Sequence, residues 1–302
     1  MQTVSDIVGI ETETRRFGGH SMTARLRRVL VRAPAPPVDA DDWRRFGYPR
    51  PVDVARSEEE HGAFRALLVD EGVEVIDGGP DPAGHLDAMF AYDPSFMTDR
   101  GAILLRMGKP ERLGETALHE RDYEALGIPI LGRIEEPGTV EGGDALWLDE
   151  HTLAVGRGYR TNDEGIDQLA AILAEIDVEV VRVALPHWRG PGECLHLMSL
   201  LSPVAADLAV AYPPLLETAF VEVLRDRGWR LIEVPDAEFD TLGCNVLALA
   251  SGRCLVVEGN PVTRERLEAA GCETVSYAGA EISLNRVGGP TCLTRPIWQA
   301  NP

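Results

Sequence analysis

The sequence predicts an α/β protein in which five repeats of a ββαβ unit close into a ring. The unit recurs at roughly 45–55 residues, a period typical of propellers and arrays rather than of one open sheet. The chain also ends on a short apolar segment, 293–298, that can pair with the first unit. An open array would need polar terminal repeats, which the sequence lacks. We therefore expect residues 1–302 to form a single closed domain.

The first repeat begins after an irregular segment of about 25 residues that shows no periodicity. Its first strand is predicted at 28–31, and a capping box at Ser57–Glu60 predicts the start of its helix, which ends near Gly72. The connection between them, about 34–56, is long. Long ordered connections are often lids, so a lid is one interpretation and a surface excursion is the other.

The other four repeats show the same order of signals. In most of them a glycine follows the helix, as is usual at a helix C-terminus. The predicted helices lie at 116–126, 161–176, 216–226 and 263–270, and the strands after them at 128–131, 178–181, 230–234 and 273–276. The predicted hairpins pair 90–92 with 102–105, 145–148 with 152–155, 195–201 with 208–211, and 245–249 with 254–257.

Charge and composition narrow the classes of partner. A formal net charge of −20 argues against binding nucleic acid or an anionic membrane. It suits a small cationic substrate, but acidic surfaces are common and usually serve only solvation. The five cysteines include no C-x-x-C pair, so neither a disulfide framework nor a zinc ribbon is indicated. Residues 1–10 have no signal-peptide pattern, and no apolar run reaches the length of a membrane span, so we expect a cytoplasmic protein.

Residues with nucleophilic or ionisable side chains occupy related positions in the repeats. Asp87 and Asp93 flank the first predicted hairpin strand of the second unit, and 141–144 enters the hairpin of the third. His196 is predicted in the first hairpin strand of the fourth unit, and Cys292 follows a Gly-Gly-Pro-Thr loop before the closing strand. If the units surround one axis, these side chains share one pocket.

Each residue taken singly also has a structural explanation. His196 could be a core histidine, Glu141 and Asp144 could be turn residues, and Asp93 before a proline is a common turn start. Cys194-x-His196 resembles part of a metal site, but no second pair at ligand spacing accompanies it. We therefore expect no metal.

Five segments together resemble the guanidine-modifying pentein superfamily, and within it most closely the dimethylarginine dimethylaminohydrolases. They are Phe90-Ala-Tyr-Asp-Pro94, Gly138-Thr-Val-Glu-Gly-Gly-Asp144, Arg160-Thr-Asn-x-x-Gly165, Leu195-His-Leu197 and Gly288-Gly-Pro-Thr-Cys292. The resemblance runs from about 26 to 297 and implies a five-bladed ββαβ propeller, the pentein fold. Arginine deiminases and amidinotransferases are relatives.

The resemblance also implies roles for individual residues. It makes Cys292 the nucleophile, His196 the general acid and base, and Glu141 the carboxylate that orients the histidine or the substrate. Asp87 and Asp93 would hold the guanidinium, and Phe90 would pack against it. Arg112 and Arg160 would hold the substrate's α-carboxylate.

The implied reaction is hydrolysis of arginine or a methylated arginine through a thiouronium intermediate, giving citrulline and an amine without a cofactor. The alternatives are arginine deiminase, dihydrolase or amidinotransferase activity, and a non-catalytic pentein binding protein. We expect a monomer or a homodimer. Carboxylates around Cys292 should disfavour its thiolate, and a bound guanidinium would reverse this effect.

Two departures from the family pattern concern the substrate. The dimethylarginine dimethylaminohydrolases usually carry an acidic residue where this chain has Tyr92. The approach to the histidine is also longer here, at 186–192. We expect both changes to remodel the end of the pocket that accepts nitrogen substituents.

Overall fold

The computed structural model describes residues 16–300. The expectation of an irregular N-terminal segment therefore lies for the most part outside the described residues, as does the prediction about a signal peptide. None of the helices within 16–300 is long and apolar enough to cross a membrane.

Residues 16–300 form five three-stranded sheets, one for each predicted repeat, which confirms the α/β ring of five ββαβ units. In chain order the strands are β1 Leu26–Val31, β2 Glu74–Asp77, β3 Ser95–Thr98, β4 Gly101–Leu104, β5 Ile130–Arg133, β6 Ala145–Asp149, β7 Thr152–Arg157, β8 Glu179–Ala184, β9 Leu201–Ala205, β10 Leu208–Ala211, β11 Arg230–Glu233, β12 Leu247–Ala250, β13 Arg253–Val257, β14 Glu273–Tyr277 and β15 Arg295–Gln299. The helices are α1 Asp42–Phe46, α2 Val54–Asp70, α3 Thr116–Leu126, α4 Asp163–Ala174, α5 Thr218–Asp226, α6 Asp236–Phe239 and α7 Pro261–Ala269.

Each sheet has the same internal order. Its first two strands are antiparallel, and a helix crosses over so that the third strand runs parallel to the second, as a parallel connection requires. The last strand, β15, takes the first place in the sheet of β1 and β2. It pairs antiparallel with β1, with Leu30 opposite Arg295, so the predicted ring closure is confirmed.

Most helix boundaries agree with the sequence signals. The α3 helix ends at Gly127 in the left-handed conformation (φ 67°), and the Asn162 side chain caps α4 by accepting from the Gly165 amide at 2.8 Å. The predicted capping box of α2 is wrong. Asp53 caps this helix instead, and Glu60 accepts from the Glu281 and Ile282 amides of a neighbouring π-helical turn.

Two predicted hairpin strands are also wrong. Residues 90–92 lie in consecutive turns, and the strand that pairs with β4 is β3. Residues 197–199 form a short 3₁₀ helix, so β9 begins later than predicted and the chain reverses after Ala205. In both cases the candidate site residues, Asp87, Asp93 and His196, lie before the strand rather than in or beside it.

The core consists of apolar side chains packed between each sheet and its helix and between neighbouring sheets. Phe64 and Leu68 of α2 pack with Val29 and Val31 of β1, and all four are fully buried. Burying one such side chain contributes roughly 1.5–3 kcal/mol. The first strands of neighbouring sheets also contact each other, β9 with β12 and β3 with β15, so the segments that enter these strands converge.

The long first connection is ordered and covers the mouth of the ring. It contains α1, and the Arg50 amide donates to Asn285 Oδ1 at 3.0 Å. Tyr48 is 4% exposed, and its hydroxyl donates to Asp87 at 2.6 Å. The segment thus lies over the candidate site, and its movement as a lid stays a prediction.

Candidate active site

Each of the five units contributes a polar residue shortly before the first strand of its sheet. Asp93 lies before β3, Glu141 before β6, His196 before β9, Asn245 before β12 and Cys292 before β15. Because these first strands meet around the ring, the five side chains meet at one end of it.

The loop that carries Cys292 is held by close backbone approach. A Cβ at Gly288 would overlap the ring of Phe90, and a Cβ at Gly289 would overlap the Asn245 side chain. The Thr291 amide donates to Asn245 Oδ1 at 3.1 Å, and the Tyr92 amide donates to the Cys292 carbonyl at 3.2 Å. Glycine is therefore needed here for space.

The thiol of Cys292 is partly exposed and lies beside Asn245, whose Nδ2 donates to the sulfur at 3.2 Å. Burial and, next, the charge of Asp93 together raise the pKa of this thiol from 9.0 to about 11, against the opposing effect of His196. The free site therefore holds a protonated thiol at neutral pH.

His196 and Glu141 form a buried pair. His196 Nε2 lies 2.7 Å from Glu141 Oε2, while Glu141 Oε1 accepts from the Gly108 and Lys109 amides at 3.0 Å each. Burial alone would raise the pKa of Glu141, but the bond to His196 and the charge of Arg160 lower it well below its usual range.

The other ring nitrogen of His196 faces the site. Its Nδ1 lies 3.7 Å from Cys194 Sγ, and the Leu197 amide donates to Asp144 Oδ1 at 2.9 Å, which fixes the adjacent backbone. Burial would lower the pKa of His196, but the charges of Cys194, Asp144 and Asp93 raise it well above its ordinary value. A protonated imidazole whose Nε2 is held by Glu141 and whose Nδ1 keeps only a long contact with a thiol, among the contacts described, can act as an acid.

Asp93 is fixed by two partners. Its Oδ1 accepts from the Gly143 amide at 2.9 Å and its Oδ2 from Arg112 Nη1 at 2.7 Å. Arg112 is 3% exposed and also donates to Glu115 at 2.8 Å and to the Phe90 carbonyl at 3.0 Å. In this structure its guanidinium holds Asp93 in place, whereas Arg160 keeps only long contacts to Glu141, 3.4 Å at the shortest.

Asp87 is likewise already bonded. Its two oxygens accept from the Tyr48 hydroxyl at 2.6 Å and from Lys109 Nζ at 2.7 Å, and Lys109 Nζ also donates to the Phe46 carbonyl at 3.0 Å. The long first connection, which carries Tyr48, and Lys109 therefore set the position of this carboxylate.

Two adjoining cavities open on these residues. The polar chamber, about 200 Å³, is lined by charged side chains together with Phe90; the charged residues are Asp87, Asp93, Lys109, Arg112, Arg160 and Arg286. The apolar chamber, about 320 Å³, is lined by Trp188, Phe239, Leu242, Leu284 and Val287, with Asn245. Cys292, His196, Cys194 and Glu193 line both chambers and so mark their boundary.

All eight sequence-predicted site residues thus lie at one site. Cys292, His196, Asp87, Phe90, Asp93, Arg112 and Arg160 line the polar chamber, and Glu141 lies directly behind His196. Residues 188, 189 and 192 of the longer approach loop line the chambers, and the expectation that this loop shapes the end accepting nitrogen substituents stays a prediction. The expectation for Tyr92 is wrong, because its side chain is buried in the core, with Arg295 Cζ 3.9 Å from its ring centre.

Sequence reasoning missed four residues of the site. Asn245 had a signal, because it enters the first strand of its unit as the other site residues do. Tyr48 lies in the connection 34–56, for which a lid is one interpretation, whereas Lys109 and Arg286 have no signal, since they reach the polar chamber from connections outside the repeat pattern.

Within residues 16–300, one set of side chains could serve as ligands to a metal ion. Atoms of Asp93, Glu141 and His196 lie within 4.8 Å of one another. Arg112 already pairs with Asp93, and the raised pKa of His196 favours its cationic form beside Glu141, so much of the negative charge that would hold a metal is neutralised. The expectation of a metal-free reaction stays a prediction.

Comparison with known proteins agrees with this geometry. A family model described as arginine deiminase matches residues 86–227 and 214–299. The N(G),N(G)-dimethylarginine dimethylaminohydrolase of Pseudomonas aeruginosa is 29% identical over 272 residues, which cover 89% of this chain and 98% of that protein.

Solved structures agree as well. A variant of the dimethylarginine dimethylaminohydrolase of Pseudomonas aeruginosa, complexed with citrulline, superposes with a TM-score of 0.73 at 25% identity, covering 90% of this chain and 99% of that one. An amidinotransferase from Microseira wollei superposes with a TM-score of 0.78 at 17% identity, covering 95% and 98%. The second likeness concerns the fold alone, and together they confirm the pentein fold.

Proposed function

The chain belongs to the arginine deiminase family, and we propose that it hydrolyses arginine or an N-methylated arginine to citrulline through a covalent intermediate on Cys292. Its relatives make it a hydrolase that acts on guanidino groups. The observation that carries the finer proposal is the boundary between the chambers, where Cys292 and the His196–Glu141 pair meet the carboxylate-lined cavity.

The polar chamber suits a substrate with charges of both signs. Asp93, held by Arg112 and Gly143, presents a fixed carboxylate to the guanidinium, and Asp87 presents a second. Charge-assisted hydrogen bonds of this kind orient a planar cation for attack on its central carbon. Arg160, with only long contacts to Glu141, is the better placed of the two arginines for the substrate's α-carboxylate.

Cys292 would be ionised by the substrate itself. Its pKa of about 11 in the free site comes from burial and from Asp93. A guanidinium bound to Asp93 neutralises that charge and adds a cation beside the sulfur, so both effects lower the pKa of the thiol. The thiol proton passes to solvent, and the thiolate then attacks the guanidinium carbon.

His196 would move the protons. It enters the reaction protonated and donates from Nδ1 to the departing nitrogen, since Nε2 is bonded to Glu141. The leaving amine departs, and the thiouronium remains on Cys292. The neutral imidazole then takes a proton from water, which attacks the same carbon and releases citrulline and the free thiol. Glu141 holds the ring in one orientation throughout.

The second candidate is a deiminase acting on unsubstituted arginine, which the description of the matching family model favours. The two candidates share every residue and differ in whether ammonia or an alkylamine leaves. We propose that all five units serve this one site, so that residues 1–302 act as a single catalytic domain.

The test is a substrate panel with product identification. Purified protein is incubated separately with arginine, monomethylarginine, dimethylarginine and agmatine, and the products are identified by mass spectrometry. We expect citrulline from at least one of the arginines, with methylamine or dimethylamine when the methylated forms are used. Turnover of none of them would overturn the proposal, and a Cys292→Ser variant with undiminished turnover would overturn the mechanism.

A further inference from the structure

The apolar chamber on the far side of Cys292 has no role in the hydrolysis of arginine itself. We infer that it receives a large apolar substituent on the departing nitrogen, so that the preferred substrates are arginines carrying an Nω-alkyl or Nω-benzyl group. This inference rests on the proposed function and concerns which guanidine the same site selects.

The positions of the chambers set the direction of the substituent. Asp87 and Asp93 lie in the polar chamber, where they bind the nitrogens that remain in citrulline. His196 lines both chambers and donates to the nitrogen that leaves. A group on that nitrogen therefore points past His196 into the apolar chamber.

Aromatic and ionic contacts hold the wall of this chamber in place. Trp188 meets Phe239 edge to face at 5.4 Å, and Phe239 stacks on Tyr212 at 4.0 Å. Arg189 lies over Trp188 at 4.1 Å and donates to Asp240 at 2.8 Å. These contacts hold the loop 186–192 against α6, so the aromatic faces are fixed before a substrate arrives.

Charge in the chamber favours an uncharged occupant. Arg189 and Asp240, the two charged residues on its outer wall, are paired with each other. Glu193 lies at the boundary, where the guanidinium passes. A charged substituent would thus gain no unpaired partner from Arg189 or Asp240, whereas an apolar one would bury its surface against aromatic rings.

The volume of the apolar chamber favours a large substituent over methyl groups. At about 320 Å³ the chamber reaches the range of small-molecule sites, which begins at roughly 300 Å³. Two methyl groups would leave most of it unfilled. Each further methylene buried there should raise kcat/KM by roughly fourfold, until the chamber is filled.

The reaction remains the balanced hydrolysis already described. The Cys292 sulfur forms a bond to the guanidinium carbon, and the bond from that carbon to the substituted nitrogen breaks. The amine leaves with a proton from His196 and takes up a second proton from solvent, which replaces the proton that Cys292 gave to solvent when it ionised. Water then replaces sulfur on the carbon, and the products are citrulline and the substituted ammonium ion.

The experiment compares kcat/KM for arginine and its Nω-methyl, Nω,Nω-dimethyl, Nω-propyl and Nω-benzyl derivatives. Citrulline is measured as the common product, and the released amine is identified. We expect the benzyl derivative to exceed the dimethyl one by about tenfold or more. Citrulline from the methylated arginines with none from the larger ones would overturn this inference and leave the proposed function standing. Citrulline from none of the five would overturn both.

Two variants show whether the apolar wall causes the preference. Trp188→Ala should lower the benzyl-to-methyl ratio of kcat/KM by about tenfold. The matched control is Tyr159→Ala, which removes the 2.6 Å contact of Tyr159 with His187 on the same loop but leaves the chamber wall intact. An unchanged ratio in Trp188→Ala, or an equal fall in the control, would overturn the inference. Benzylguanidine and ornithine, formed from arginine and added benzylamine, would show that the chamber holds an acceptor amine instead.

Discussion

Replacing Asp93 by Asn should abolish turnover and yet make the free Cys292 thiol more reactive. Asn keeps the shape of the side chain and an oxygen for the Gly143 amide, which now lies 2.9 Å from Asp93 Oδ1. What it removes is the negative charge that raises the pKa of Cys292. Arg112 would lose its 2.7 Å contact with the Asp93 carboxylate and keep only Glu115 as an ion-pair partner among the contacts described, so its less compensated charge would lower that pKa further.

The size of the effect follows from the two main causes. Burial accounts for the larger part of the rise in the pKa of Cys292 from 9.0 to about 11, and Asp93 is the next cause. We therefore assign to Asp93 about 1 kcal/mol, a factor of five to ten in the thiolate fraction at neutral pH. A less basic thiolate is also a weaker nucleophile, which removes about half of that gain on a logarithmic scale. The net expectation is an alkylation rate about threefold higher.

The assay is alkylation by iodoacetamide at neutral pH without substrate, with Cys292 followed by peptide mass spectrometry. Asp167→Asn is the matched control, since Asp167 is exposed and pairs only with Arg182 among the contacts described. As the pH rises, the wild-type thiol ionises and the ratio of rates should fall. Alkylation of Asp93→Asn at an unchanged or lower rate would refute the role given to Asp93.

Three further predictions concern the groups around the thiol. Glu141→Gln should shift the alkaline limb of the kcat–pH profile to lower pH, because the loss of the carboxylate lowers the pKa of His196 and its acid form is lost at a lower pH. An unshifted limb would contradict the role given to the His196–Glu141 pair. Arg112→Ala should lower the free energy of unfolding by about 3–5 kcal/mol in a denaturant titration, since it leaves Asp93 and Glu115 buried without a cation. The exposed pair of Arg133 with Glu120 gives the control, for which Arg133→Ala should cost about 1 kcal/mol or less, and equal losses would contradict the prediction. Gly143→Ala should lower kcat/KM by about 100-fold while the protein stays folded by circular dichroism, because its Cβ would overlap the His196 ring; activity within a few-fold of wild type would show that the ring can shift freely.

The ring of five units could be predicted because its signals are local and repeated. A glycine after the helix, as at Gly127, and a capping side chain, as at Asn162, act within a few residues of themselves. The strand predicted at 90–92 failed for a physical reason. These apolar residues are buried as a strand would be, but the Phe90 amide bonds back to Asp87 and the Tyr92 amide bonds to Cys292. Burial alone does not distinguish a buried turn from a strand.

Site residues could be predicted where they occupy the same position relative to the first strand of each unit. Asp93, Glu141, His196 and Cys292 all enter first strands, and applying the same register to the fifth unit would have found Asn245. Lys109 and Tyr48 could not be found in this way, because they reach Asp87 from connections whose paths are set by packing. Tyr92 failed because its neighbours lie in turns, so its side chain points into the core while Asp93 points into the chamber.

The most direct test of the covalent mechanism is the mass of the protein during turnover. The protein is mixed with a substrate from the panel, quenched in acid within the first turnover, and digested for peptide mapping. We expect the mass of a thiouronium adduct on the peptide that contains Cys292, and its absence from Cys292→Ser. An adduct on Cys194 instead, or steady turnover by the Cys292→Ser variant, would contradict the assignment of Cys292 as the nucleophile.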